Sequence, residues 1–176
     1  NPLVNFEVCV PDRLQNVHFL SVEFTQLLPA PAGTYYIVMG ASDGSIVAYD
    51  NQRQEYVDVG TRGEVIEGEV GVLSLKSSSM VIASSQGVIS HYPLVGAQIQ
   101  PVDPDTVTSF TCDAAIVAVS MDDLNYEGLV GTENGTIYYV NFQDSNNVDA
   151  SMYPIPIVSS NNINRDRISL LKIGPG

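Results

Sequence analysis

Apolar and polar positions alternate in short runs along the chain, and three pairs of runs are joined by the same kind of turn. In each case an apolar segment leads into a polar residue and a glycine, and an alternating segment follows. A polar residue followed by glycine supplies the positive φ that a tight hairpin turn needs. The three turns are Ser42-Asp43-Gly44-Ser45, Ser85-Gln86-Gly87-Val88 and Glu133-Asn134-Gly135-Thr136. Their regular spacing predicts a repeated β-hairpin unit.

The runs around each hairpin predict four strands per unit. The segment Phe19 to Leu27 opens the first unit, with apolar residues at positions 20, 22 and 24. Hairpins that return about every 40–50 residues are typical of β-propeller blades. We therefore predict an all-β chain with three four-stranded antiparallel blades. The predicted division is 1–16 as the outer strand of a preceding blade, 17–60, 61–106 and 107–160 as blades, and 161–176 as the first strand of a further blade. In the second blade, we place the outer strand at Ala97 to Val102.

Three blades are too few to close a ring, because closed propellers have at least about four. The segments Phe6 to Val10 and Ile168 to Ile173 read as strands whose sheet partners lie elsewhere. Unpaired strand edges favour pairing with another segment. We therefore expect the chain to be part of a larger ring of six to eight blades, with the rest of that propeller as a partner.

The charge balance argues against two classes of partner. The chain of 176 residues has 7 Lys and Arg against 20 Asp and Glu, a net charge of −13. Binding to nucleic acid or to an anionic membrane surface needs clustered basic residues, which the sequence lacks. No apolar run reaches the roughly 20 residues that span a bilayer. Protein partners, including ones with basic surfaces, fit this composition.

The two cysteines predict no metal site. Cys9 and Cys112 are far apart and lie among apolar residues. Free cysteine in such surroundings is usually a small buried hydrophobe. One disulfide between the two remains open, although a reducing compartment is favoured.

No residues are predicted to be catalytic, to bind a cofactor or to bind a metal. The only histidines are His18 and His91, and neither belongs to a Ser-His-Asp order or a nucleophile elbow. We expect His91 to be a hydrogen-bonded strand histidine. Acidic segments at Asp103 to Asp105 and Asp122 to Glu127 offer oxygen ligands for calcium as an alternative. Turn capping explains them better, because they lack the spacing of a calcium loop.

Asn134-Gly135-Thr136 matches an N-glycosylation acceptor. The same Asn-Gly pair is the preferred sequence for a type I′ turn, which explains it without glycosylation.

The run Ser42 to Asp50 resembles the WD40 repeat, in which an Asp-Gly turn leads into a strand that ends in Trp-Asp. Tyr49-Asp50 stands in the Trp-Asp place, and the later repeats are degenerate at His91-Tyr92-Pro93 and Tyr139-Val140-Asn141. The resemblance covers roughly residues 17 to 173. It departs from the family in having no Trp and no Gly-His dipeptide; only His18 comes near that place. The residues that it marks as structural repeat positions are Asp43, Gly44, Tyr49, Asp50, Gly87, Tyr92, Asn134 and Gly135.

A second resemblance covers Val130 to Asn141, which is similar to the repeat of quinoprotein-like propellers. That repeat usually continues with a Thr-Gly turn, which is missing here. Membership of that family would imply a cofactor- or metal-binding, enzymatic role.

The WD40 resemblance implies a non-enzymatic scaffold that binds other proteins. The divergence of the repeats is similar to that of large cilia-associated or cytoskeletal WD-repeat proteins. From this we predict a cytoplasmic location, with a cytoskeletal or ciliary one as the narrower expectation.

Overall fold

Short strands make up nearly all the regular structure. The computed structural model of the chain describes residues 12–25, 35–60, 68–76, 79–94, 103–143 and 152–155. Two 3₁₀ turns lie at Asp12–Leu14 and Pro104–Thr106. The strands are β1 Phe19–Thr25, β2 Tyr36–Ala41, β3 Ile46–Asp50, β4 Glu55–Gly60, β5 Val70–Leu75, β6 Ser79–Ser84, β7 Val88–Pro93, β8 Thr108–Thr111, β9 Ile116–Met121, β10 Glu127–Thr132, β11 Ile137–Asn141 and β12 Met152–Pro154.

The twelve strands form three sheets of four, each an antiparallel meander. The first sheet has the order β1-β2-β3-β4, the second β5-β6-β7-β8 and the third β9-β10-β11-β12. The first strands of the three sheets lie side by side, with β5 in contact with both β1 and β9. The prediction of three four-stranded antiparallel units is confirmed.

The outer strand of the second sheet lies later in the chain than we predicted. The segment 97–102 is outside the described residues, and β8 at Thr108–Thr111 pairs with β7 instead. The second sheet therefore runs past the predicted boundary at residue 106. The pairing explains the shift, because Phe110 of β8 lies opposite Ile89 and is buried with it. The predicted end strands at 6–10 and 168–173, and Cys9, also lie outside the described residues.

The three repeated turns are hairpins of one kind, but not the type I′ turn expected at Asn134-Gly135. In the first, the N–H of Gly44 donates to the Ala41 carbonyl at 3.2 Å, and the N–H of Ala41 donates to the Ser45 carbonyl at 2.9 Å. Only the glycine has positive φ, 86° at Gly44 and 82° at Gly135. This is a type I turn followed by a left-handed glycine. A type I′ turn would also need positive φ at Asn134, and Asn134 does not have it.

The core lies between the sheets, because each sheet buries one face against its neighbour. Val38 and Ala48 of the first sheet pack with Met80 and Ile82 of the second. The opposite face of the second sheet, including Val81, Ala83, Ile89 and Phe110, packs with Ile116, Val130 and Val140 of the third. The second sheet therefore has two buried faces, as the near-continuous apolar run in its strand β6 suggests.

One glycine lets the first two sheets approach closely. Gly40 of β2 faces the Val70 side chain of β5, and a Cβ at Gly40 would overlap that side chain. The Ser21 hydroxyl donates to the Val70 carbonyl at 3.1 Å across the same junction. The beginning of β5 is thus held against both β1 and β2.

We predict that Gly87→Ala destabilises the chain by about 1–3 kcal/mol, since alanine is strained at the positive φ of Gly87. Its Cβ would also lie 2.7 Å from the Ala114 carbonyl oxygen. The matched control is Gly71→Ala, because a Cβ at Gly71 meets nothing within 4 Å. Urea denaturation of both variants measures the two free energies of unfolding. Equal stability of the two would show that the turn does not require glycine.

Candidate interaction surfaces and the contacts that build them

The repeated turns are tied to the residue that precedes the first strand of their own sheet. The Ser42 N–H donates to the His18 carbonyl at 2.8 Å, and the Glu133 N–H donates to the Ala115 carbonyl at 2.9 Å. The second sheet repeats the contact from Ser85 to Glu69 at 3.0 Å. His18 thus contributes backbone groups to this contact, and its N–H also donates to the Ser42 hydroxyl at 3.2 Å.

These junctions share one end of the three sheets, which we call the turn face and define by the three turns together with Glu69 and Asp113. The contact between Ser21 and Val70 aligns the starts of β1 and β5. At the opposite end, Asn125 bonds to Ser74, which aligns the second and third sheets. Glu69, Asp113 and Glu133 are exposed on the turn face. It is therefore an acidic surface.

Most of the predicted repeat residues support turns. Asp43 accepts hydrogen bonds at one carboxylate oxygen from the Ser45 N–H, at 3.0 Å, and from the Ser45 hydroxyl. Asn134 accepts from the Thr136 N–H at 3.2 Å, and its amide donates to Asp113 at 3.0 Å. Both side chains replace backbone partners that the turn leaves unpaired.

The pair Tyr49-Asp50 divides into a turn residue and a surface residue. Asp50 is buried and accepts from the N–H groups of Gln52 and Arg53 at 2.9 and 3.2 Å. Tyr49 lies half-buried beside Tyr56, with ring centroids 5.3 Å apart. Its counterpart Tyr92 is fully buried between the first two sheets, and burial raises the pKa of its hydroxyl to about 12.

The acidic segments considered as calcium ligands cap turns. The Asp122 carboxylate accepts from the N–H groups of Tyr126 and Glu127 at 2.8 and 3.1 Å. Asp103 accepts from the Asp105 N–H at 3.1 Å. Among the described residues, no group of three or more His, Cys, Asp or Glu side chains is arranged to hold a metal ion.

Asn125 forms a clasp between the second and third sheets that was not predicted from the sequence. Asn125 is fully buried, and its backbone φ is 60°. The amide nitrogen donates to the carbonyls of Ser74 and Ser79 at 3.0 and 3.1 Å, and the amide oxygen accepts from the Ser74 hydroxyl at 2.9 Å. The Ser79 hydroxyl in turn donates to the Leu124 carbonyl at 3.1 Å. The partners are about 50 residues away, so no local pattern could predict them.

His91 lies in a strand as predicted, but the expected hydrogen bond is missing at one ring atom. Its Nε2 is buried and has no hydrogen-bond partner among the described residues. The ring stacks against Tyr126 and Phe142 of the third sheet, with centroids 5.1 and 5.3 Å away. Burial lowers the pKa of the imidazole. His91 therefore packs between the second and third sheets through aromatic contacts.

Cys112 is buried between the second and third sheets, as predicted for a small hydrophobe. Burial, with a smaller effect of the Asp113 carboxylate, raises the pKa of its thiol to about 12. The thiol is therefore protonated, and poorly nucleophilic, near neutral pH.

An apolar surface lies on the side of the first sheet that faces away from the second. We call it the front face and define it by Val22, Phe24, Ile37, Met39 and Tyr49. Val22 and Phe24 are 64% and 65% exposed. Next to them a cleft of about 490 Å³ is lined by Tyr35, Ile37, Met39, Tyr49, Asn51, Gln54 and Tyr56. Aromatic side chains around an apolar cleft are typical anchors of protein interfaces.

The alternation at positions 20, 22 and 24 predicted β1 correctly but not the exposure of these side chains. A buried face and an exposed apolar face give the same periodicity, so only the neighbouring sheet distinguishes them.

Neither helical turn in the described part of the chain has the length or the apolar character needed to cross a bilayer.

Comparison with known proteins identifies the fold. No protein family model matches the chain, and no curated protein matches its sequence. Among solved structures, the computationally designed protein Ika8 has a TM-score of 0.58 at 15% identity and covers 89% of this chain. The β-propeller domain of Cps50 (Swd1) from Myceliophteria thermophila has a TM-score of 0.51 at 14% identity and covers 67% of it. The chain has a β-propeller fold.

The three sheets are therefore propeller blades, as predicted. The chain spans 40% of the length of Ika8 and 36% of that of the Cps50 domain. In all, 322 chains of solved structures match it. A fold shared so widely supports many functions, so the likeness by itself identifies no activity.

We predict that Asn125→Asp lowers the free energy of unfolding by about 2–4 kcal/mol, because a carboxylate would replace the two N–H donors that satisfy buried carbonyls. Asn125→Gly keeps the positive φ and loses the side-chain bonds, so we expect a smaller loss of about 1–3 kcal/mol. Asp123→Ala, at an exposed position in the same turn, should change stability by less than about 0.5 kcal/mol. Urea denaturation would contradict the clasp if Asn125→Asp were as stable as the wild type.

We predict that His91 makes the chain less stable in mild acid. The unfolded chain protonates this residue near pH 6.5, and the folded chain does so only at a lower pH. The free energy of unfolding should therefore fall as the pH is lowered below about 6.5, by up to about 1.4 kcal/mol per pH unit down to the folded pKa. Denaturation at a series of pH values should show a shallower fall for His91→Phe than for the wild type. Equal slopes for His91→Phe and the wild type would exclude His91 as the cause.

Proposed function

We propose that the chain is a non-enzymatic scaffold of the WD40 type that binds other proteins, and that it forms part of a propeller of six to eight blades. The observation that supports this role best is the turn face. It presents three repeated turns side by side, each fixed by backbone hydrogen bonds to the start of its own sheet. Binding surfaces commonly consist of loops held by a rigid scaffold.

The charges on the turn face favour a partner with a basic surface. The exposed carboxylates of Glu69, Asp113 and Glu133 lie on this face, and the whole chain carries a net charge of −13. Complementary charge speeds encounter and helps to select partners. Nucleic acid and anionic membranes are not among the proposed partners, because both are negatively charged like the chain itself.

The polar residues that the WD40 resemblance marks have structural roles, which supports a scaffold. Asp50 caps the turn between β3 and β4, and Asp43 and Asn134 support the repeated turns. The cytoplasmic location, and the narrower cytoskeletal or ciliary one, stay predictions from the sequence.

The proposal predicts that reversing charge on the turn face weakens binding to protein partners. Glu69→Lys with Glu133→Lys changes two exposed carboxylates there; the matched control is Asp105→Lys with Asp123→Lys, two exposed carboxylates at the opposite end. Both variants have the same net charge. Quantitative mass spectrometry of proteins captured from cell extract should show that specific partners of the wild type are depleted more than about tenfold on the turn-face variant.

Equal capture by the two variants would show that the turn face is not the binding surface. An ultraviolet-visible spectrum and a metal analysis of the native protein provide the second test. A stoichiometric quinone or metal would contradict the scaffold and support an enzymatic, quinoprotein-like role.

A further inference from the structure

The front face of the first sheet repeats, position for position, a face that is buried elsewhere in the chain. Val22 lies opposite Met39 on neighbouring strands, and in the second sheet Leu73 lies opposite Ile82 in the same way. Leu73 and Ile82 are 5% and 0% exposed, because the first sheet covers them. Val22 has no described sheet on that side and is mostly exposed.

The other positions of the front face follow the same rule. Phe24 lies opposite Ile37, and its counterpart Leu75 lies opposite Met80. Met121 is the counterpart in the third sheet, and both Leu75 and Met121 are buried against the preceding sheet. Two of the three sheets therefore bury this face against a preceding sheet. The first sheet has the same apolar residue types, and the part of the chain that the structure describes places no sheet before it.

A complementary face is left at the other end of the row of sheets. We call it the back face of the third sheet and define it by Leu129, Ile137, Tyr139 and Tyr153. In the second sheet, the positions that correspond to Leu129 and Ile137 are the buried residues Val81 and Ile89. In the third sheet they are only half-buried. Tyr139 contacts Tyr153 at 5.0 Å between ring centroids, and Tyr153 is 45% exposed.

We propose that a second copy of this chain occupies the front face, with the back face of its third sheet. The same packing of one sheet face on the next already occurs twice within the chain, between the first and second sheets and between the second and third. Applied between two copies, it joins them head to tail. The reciprocal contact closes a ring of six sheets, within the range of about four to eight blades that propellers adopt.

This inference rests on the proposed propeller scaffold and adds the partner that completes it. Two copies with the same strong negative charge repel each other, while the contact itself is apolar. Salt screens repulsion between exposed charges and strengthens apolar burial. The dimer should therefore be tighter at about 1 M salt than at about 0.1 M.

Sedimentation equilibrium of the chain over a concentration series tests the proposal. We expect a reversible dimer with a dissociation constant that falls as salt rises. Phe24→Glu on the front face and Tyr153→Glu on the back face should each raise that constant more than about tenfold. Both side chains are exposed, so the fold should persist, which circular dichroism and thermal melting check. Val22→Glu provides a second front-face variant.

The matched control is Leu124→Glu, which introduces the same charge at a residue 53% exposed in the turn between β9 and β10. It should dimerise like the wild type. Mixing Phe24→Glu with Tyr153→Glu should restore part of the association, because each mixed pair keeps one of the two contacts of the ring intact while the other contact carries both substitutions.

Three results would overturn the inference. A wild type that stays monomeric at all concentrations would exclude the dimer. If Phe24→Glu dissociated the dimer while Tyr153→Glu did not, the first sheets would pack front to front instead. Assemblies larger than two copies would show that the ring does not close. A monomer that still lost its partners on charge reversal of the turn face would leave the proposed scaffold standing and refute this inference alone.

Discussion

The stability of this chain depends on sheets that pack face against face: the second sheet buries one side against the first sheet and the other side against the third. Met80, Ile82 and Tyr92 fill one side of the second sheet, while Val81, Ala83 and Ile89 fill the other. Full burial of a side chain such as Ile82 contributes about 1.5–3 kcal/mol. A single four-stranded sheet lacks a second layer to bury its apolar side, so each blade gains most of its stability from its neighbours.

This constraint explains where the chain places its buried polar groups. Strand ends and turns carry carbonyl and N–H groups that the sheets leave unpaired, and burial between sheets removes the water that would satisfy them. Asn125 supplies two donors and one acceptor at the junction of the second and third sheets. Asp50 and Asp122 supply acceptors at single turns. The polar side chains thus hold the ends of the sheets while the apolar ones hold the faces.

The same distinction decides what could be predicted from the sequence. The hairpins around Gly44, Gly87 and Gly135 depend on neighbouring residues, so spacing and residue type were enough to predict them. The outer strand β8 pairs with residues about 20 positions earlier in the chain, and the clasp at Asn125 bonds to residues about 50 positions earlier, so a local pattern encodes neither. His91 follows this rule as well: its strand was predictable, but its stacking on Tyr126 and Phe142 depends on the third sheet.

For the candidate surfaces, the sequence predicted residues but not their exposure. Phe24 belongs to the same alternating pattern as Leu75, and only the position of its sheet in the row makes one exposed and the other buried. The turns of the acidic turn face were predictable one by one. That they lie side by side depends on the alignment of the sheets, through contacts such as that of Ser21 with Val70.

The two surfaces differ in how much selectivity they can provide. The front face uses the same residue types as the internal junctions, and those junctions already accept different side chains at one position, such as Leu75 and Met121. Apolar faces of similar volume tolerate such exchanges, so the front face recognises a blade but discriminates weakly among blades. The turn face presents individual carboxylates on turns that are hydrogen-bonded to their own sheets. A wrong partner that places negative charges against these carboxylates would bind less tightly. In the proposed scaffold, selective recognition is therefore better served by the turn face, and assembly of the ring by the sheet faces. Because the two lie on different sides of the same blades, a partner on the turn face leaves the front face open to another blade.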